Sequence, residues 1–243
     1  MGNLLCYNGE KGASGMKDWL REIATGLGAD VCGFAKAADF TDAPEGFRPT
    51  DCWGACVSVM VIGVALPMGA MVADTRLSYT RYNNLVTQKT DALALDIART
   101  LERETGRPCV PLPADDPYDS YDPATRTGRG VISMKHAAVL AGLGRLGRSA
   151  LLLNRNFGNR LAIGALLLDI PMESDARAPA VCLPGCNMCV DACPAHAIEN
   201  GMVDQMKCRT AAYVINDRGF SITNCRVCRD VCPVRFGREG GFR

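Results

Sequence analysis

A mixed α/β core followed by a small cysteine-rich domain is the fold the sequence predicts, and three observations predict it. Runs rich in β-branched residues alternate with apolar stripes of helical period between residues 16 and 174. Eight of the thirteen cysteines crowd between positions 182 and 232, while the others (Cys6, Cys32, Cys52, Cys56, Cys109) are scattered over the longer first part. Between these regions, residues 174–180 are polar and Pro-containing and read as a linker.

The elements follow in order. Residues 1–15 are Gly- and Ser-containing, lack a period and are expected to be flexible. Met16, Trp19, Leu20, Ile23, Ala24 and Leu27 recur at three- and four-residue steps, the stripe of an amphipathic helix that Gly28 ends. Residues 30–35 read as a short strand, and residues 57–64 as a strand buried on both faces. Val86, Leu93, Ile97 and Leu101 place a long helix over 83–104, with a strand at 109–112 after it. Ser133 is placed to cap a helix that Gly142 stops, and residues 161–170 form a further strand.

Composition excludes several function classes. The 27 basic and 26 acidic side chains nearly cancel, leaving a net charge of +1, which argues against a nucleic-acid partner or a membrane surface. No apolar run is long enough to span a bilayer, and no signal peptide is recognisable, so a cytoplasmic location is expected. In a reducing compartment, clustered thiols point to metal rather than to disulfides.

The cysteine spacing carries the sharpest chemistry. Cys182-x3-Cys186-x2-Cys189-x3-Cys193-Pro194 is followed by Cys208 and then by Cys225-x2-Cys228-x3-Cys232-Pro233. The element C-x2-C-x3-C-P, present twice, is the pattern of two-cluster bacterial ferredoxins, in which the last cysteine of each run serves the other cluster. It predicts a ferredoxin-like domain at 180–236 holding two 4Fe–4S clusters. Cys182, Cys186, Cys189 and Cys232 would hold the first, and Cys193, Cys208, Cys225 and Cys228 the second. Zinc sites favour paired C-x2-C units with four ligands in all and do not account for eight thiols with two prolines.

Other signals are weaker. Residues 142–147 match G-x-G-x-x-G, but the segment before them reads as a helix, against a dinucleotide site and towards a tight turn beside a cofactor of another kind. His136, one of two histidines, is either a partly buried helix residue or a proton donor; His196, after Cys193-Pro194, is structural or tunes a cluster. Asp115, Asp116, Tyr118, Asp119, Tyr121 and Asp122 lie in a long aperiodic stretch, read as hydrated surface or as a lid carrying an acid. Cys52 and Cys56 read as core or edge thiols. The basic excess after Lys207 offers a little support for an acidic redox partner or RNA.

Three stretches together resemble the epoxyqueuosine reductase family: residues 135–148, Lys-His-Ala-Ala-Val-Leu-Ala-Gly-Leu-Gly-Arg-Leu-Gly-Arg; Phe157-Gly158-Asn159-Arg160-Leu161 with Gly164; and the eight cysteines. The resemblance covers about residues 57–235 and is closest to short members carrying a C-terminal double-cluster domain. It implies a nitroreductase-like core over 16–174 holding a cobalamin, with the clusters feeding electrons to cobalt, as in reductive dehalogenases. The cofactor, cobalamin first and FMN second, would lie against Lys135, His136, Gly142, Gly144, Arg145 and Gly147. His136, Asp119, Tyr121 or Asp122 would supply a proton. The family's Trp in the glycine run is Arg145, its catalytic Asp has no counterpart at 127–131, and its tRNA-associated helical repeats are not expected after Cys232. The expected partners are a redox protein or other low-potential donor and a small-molecule or corrinoid ligand. A non-catalytic electron carrier that activates a partner enzyme is the alternative.

Overall fold

The computed structural model describes residues 13–238. The expected flexible start lies outside them up to residue 12, as does Cys6, and residues 13–15 already belong to helix α1 (Ala13–Leu27). Met16, Trp19, Leu20, Ile23 and Ala24 of its stripe are buried. Strand β1 (Val31–Lys36) follows, then α2 (Pro49–Cys52), β2 (Ser58–Ala65), α3 (Met68–Val72) and the 30-residue helix α4 (Arg76–Thr105). β3 (Cys109–Leu112), the exposed hairpin β4 (Ser120–Asp122) and β5 (Thr127–Arg129), and α5 (Met134–Leu140) come next. The short pair β6 (Arg145–Leu146) and β7 (Leu152–Leu153) precedes β8 (Leu161–Leu168).

The main sheet has the order β1-β2-β8-β3, and every pairing in it is antiparallel. Alternating strands and helices would suggest a parallel sheet, yet the chain solves the problem differently. β2 and β3 both pair with β8, so they share a direction, and α4 is the crossover that two such strands require. β8, arriving later in the sequence, inserts between them. Both faces of β2 are covered, as its apolar run implies: Met60, Ile62 and Val64 pack with α1 and α4, and Val59 and Val61 pack with α5.

Helix α4 begins seven residues before the position its stripe suggests. Thr75 caps it, its hydroxyl accepting from the Leu77 N–H at 3.2 Å, and Gly106 ends it in the left-handed conformation. The first turns carry no core stripe because they face the cysteine domain: Tyr79 lies under the Arg226 guanidinium at 4.9 Å. The segment read as a linker is a strap held along β1. Phe34 N–H donates to the Asp175 carboxylate at 2.9 Å, Asp175 N–H donates to Phe34 O at 2.9 Å, and Lys17 and Arg21 each reach Asp175 at 2.6 Å. Burial alone would raise the Asp175 pKa, but these hydrogen bonds outweigh it and hold it down.

The cysteine domain contains α6 (Met188–Asp191), the pair β9 (Ile198–Glu199) and β10 (Met202–Val203), α7 (Gln205–Ala212), the hairpin β11 (Tyr213–Ile215) and β12 (Ser221–Thr223), and α8 (Val227–Asp230). It is fastened to the core at Gly158, which has φ +59° and whose missing Cβ would meet Arg235 O at 2.1 Å. Gly158→Val should therefore lower stability by at least about 1–3 kcal/mol from backbone strain alone. Thermal melting with iron retention checks this; an unchanged melt would contradict the contact. No helix among the described residues is long and apolar enough to cross a membrane.

Candidate functional site

Helices α6 and α8 pack against each other, and each carries one cysteine and delivers another just beyond its end. This crossing gathers the eight thiols into two groups. Cys189 and Cys232 each feel the charge of Cys182 and Cys186, and Cys232 feels Cys189 as well. Cys208 and Cys228 each feel Cys193 and Cys225, and Cys228 feels Cys208. Burial, followed by the mutual repulsion of such neighbours, pushes Cys189, Cys208 and Cys232 up; burial takes Cys228 to about 11 against the opposing Arg229 charge.

All eight are free thiols. Four thiols held together where thiolate charge is disfavoured suit a bound core whose positive iron offsets that charge. Among the described residues no three His, Cys, Asp or Glu side chains converge to hold a single ion. A zinc ion needs its sulfurs about 2.3 Å from one point, whereas a cuboidal cluster takes one thiolate at each corner. Four thiols to a set is the donor count that a cuboidal cluster takes. The first set, with Gly147, Arg148 and Ser149, lines a small pocket of its own.

A separate cavity of about 700 Å³ opens in the core, within the size range of small-molecule sites. Phe40, Phe47, Val139 and Leu140 give it an apolar wall, and Lys135, Arg129 and Arg177 give it positive charge. Lys135 and His136 both line this cavity. The Ser133 hydroxyl, expected to cap α5, instead pairs with His136 Nδ1 at 2.7 Å.

The remaining sequence candidates lie elsewhere. Gly142, Gly144, Arg145 and Gly147 do not line the cavity; the glycines let backbones approach closely. A Cβ on Gly142 would meet Ala176 O of the strap at 2.4 Å, and one on Gly144 would meet Leu153 O at 2.5 Å. Asp119, Tyr121 and Asp122 are exposed on or beside the β4–β5 hairpin, outside the lining. Asp122 accepts from Thr125 Oγ1 at 2.6 Å and from Ala124 N–H at 2.9 Å, which holds its pKa below the usual range.

Asp115 and Tyr118 are the members of the acidic loop that face the cavity. Tyr118 OH donates to Asp115 Oδ1 at 3.3 Å and accepts from Arg209 Nη2 at 3.0 Å. Asp115 is exposed as a residue, yet burial of its carboxyl raises its pKa, with Asp116 and Asp91 adding to the effect. Burial lifts Tyr118 to about 12. Segment 39–47, Arg177 and Gln205 also reach the cavity, and no sequence signal marks them, because only the fold brings these distant stretches together.

The cavity adjoins the second cysteine set. Gln205 lines it and hydrogen-bonds Gly128 N–H at 3.1 Å, one helical turn before Cys208 on α7. Lys135 Nζ donates to Ala150 O at 2.9 Å and feels Cys208. Its pKa is lowered, first by desolvation of the ammonium and then by Arg229. Arg209, next to Cys208, covers the Tyr118 ring at 5.1 Å and donates to Arg126 O at 2.7 Å. Gln205 and Lys135 thus connect the second set with the cavity lining, while the first set lines a separate pocket.

This fold is shared with solved epoxyqueuosine reductases and reductive dehalogenases. An epoxyqueuosine reductase solved with an epoxyqueuosine-modified tRNA stem loop superposes over 93% of this chain and 67% of its own, with TM-score 0.64 and 20% identity. A reductive dehalogenase whose structure suggests a mechanism for B12-dependent dehalogenation superposes over 95% and 33%, with TM-score 0.66 and 18% identity. In sequence, the chain is similar to the epoxyqueuosine reductase of Staphylococcus aureus, with 34% identity over 118 residues. That match takes in 44% of this chain and 31% of the relative, so the chain aligns with about a third of the length of the curated relatives it matches. The resemblance read from the glycine run and the cysteines is supported by these matches. No family model matches. The tRNA bound by the first neighbour stands against excluding a nucleic-acid partner on charge balance alone.

Proposed function

We propose that this protein is an iron–sulfur reductase in which two 4Fe–4S clusters pass electrons to a cofactor in the core cavity, cobalamin first and FMN second. One observation carries the reading: the Cys193, Cys208, Cys225 and Cys228 set adjoins the cavity through Lys135 and Gln205. When bound, the clusters supply electrons singly, and a corrinoid supplies a low-valent, strongly nucleophilic cobalt. The core is read as nitroreductase-like over 16–174, and the cysteine domain as ferredoxin-like over 180–236.

The chain's own groups then have definite tasks. The apolar wall of Phe40, Phe47, Val139 and Leu140 excludes water from one face of a flat ligand. Lys135 and Arg177 attract its anionic groups. Asp115, whose pKa is raised, is placed to pass a proton to the ligand, and Tyr118, steadied by Arg209, keeps that carboxyl in place.

Anaerobically reconstituted protein titrated with cobalamin, and separately with FMN, tests the reading. Binding with a change in the visible spectrum, weakened at least tenfold by Lys135→Glu, is the expected result. Failure of both to bind while the iron is retained would leave an electron carrier for a partner enzyme. A second reading, an RNA substrate, is favoured by the neighbour's tRNA ligand; competition between a tRNA stem loop and the cavity ligand would carry it.

A further inference from the structure

We propose that the surface over the first cysteine set is the docking site of a small acidic one-electron carrier protein. This rests on the reading that the cysteine sets hold clusters. The first set has a pocket of its own, which shares no lining residue with the cavity, and it is the entry point for electrons bound for the cavity. Its rim is shaped for a partner. Leu183 and Met188, flanking Cys182, Cys186 and Cys189 in the sequence, are 38% and 49% exposed and line the pocket of that set. Arg148 lines the same pocket, and Arg145 lies three residues earlier on the same hairpin; both are exposed.

Among the described residues, neither arginine takes an ion pair or hydrogen bond within the chain. Asp191 is the one acidic side chain between Cys182 and Cys193. An apolar patch flanked by uncompensated guanidinium groups matches a partner with an acidic rim around an exposed redox centre. Charge steers such partners together, and the apolar contact fixes their approach. The step is a single electron transfer: one electron leaves the reduced carrier and arrives on the cluster of Cys182, Cys186, Cys189 and Cys232, with no bond made or broken.

The test mixes reconstituted protein with a reduced acidic bacterial ferredoxin by stopped flow and follows the bleaching of the clusters. Dithionite serves as a small reductant that needs no docking, and Arg145→Gln/Arg148→Gln is run beside Arg145→Glu/Arg148→Glu. The charge-reversed variant is expected to accept electrons from ferredoxin at least tenfold more slowly at low salt, with the neutral variant between. Rates are normalised to the iron content and dithionite reduction of each variant, and added salt should erase the difference. Equal ferredoxin rates in all three proteins would overturn the proposal. So would loss of tRNA stem-loop binding with the ferredoxin rate intact, which would assign the arginines to nucleic acid. The cavity takes no part in this reading, so a failure of cofactor binding leaves the result standing.

Discussion

Cys208→Ser is expected to remove about half of the roughly eight irons expected per chain for two 4Fe–4S clusters and to abolish electron delivery to the cavity. Cys208 lies in the second thiol set, on the helix that also supplies Gln205 to the cavity wall. Its loss would leave three thiols for a core that needs four. Cys182→Ser, in the first set, should also cost about four irons, but it should leave the second cluster able to accept electrons from dithionite. Iron and sulfide analysis with electron paramagnetic resonance of the reduced proteins separates the two. Equal signals from both variants would mean that the thiols are not partitioned as described.

The second large effect is expected at Asp115. Asp115→Asn should slow turnover by about 10²–10⁴-fold, the usual contribution of a positioned general acid, while leaving cavity ligand affinity within a few-fold. Stability gives an independent sign. The folded pKa of this carboxyl lies above its ordinary value, so the wild type loses stability as pH rises through the ordinary carboxylate range towards that raised value. The asparagine variant does not. It should therefore melt slightly higher than wild type at neutral pH, and the gap should close in acid. The gap is expected to be small because the residue is exposed. A variant that loses activity and also melts lower at neutral pH would point to a structural role instead.

How much of this could be read from residues alone depends on how local the physics is. The gathering of the eight cysteines was legible because short C-x2-C loops hold their thiols close together in the sequence. The stripe of α1, the buried run of β2 and the Gly142 stop after α5 were legible for the same local reasons. The cavity was not, since its wall comes from segment 39–47, the loop at Asp115 and Tyr118, α5, Arg177 and Gln205, which only tertiary structure unites. Asp175 illustrates a different failure. Among polar neighbours and before a proline it reads as linker, yet two cations and the edge of β1 make it an anchor. The glycine run has the spacing of a cofactor turn, whereas Gly142 and Gly144 sit where the strap and Leu153 come too close for a side chain. Spacing alone does not distinguish these uses.

The central claim, that the cluster of Cys193, Cys208, Cys225 and Cys228 faces the cavity, is tested most directly by paramagnetic resonance of the reduced protein during titration with the cavity ligand. The signal that Cys208→Ser removes should shift as the ligand binds, while the signal that Cys182→Ser removes stays constant. A ligand-induced shift confined to the Cys182-dependent signal would contradict the account.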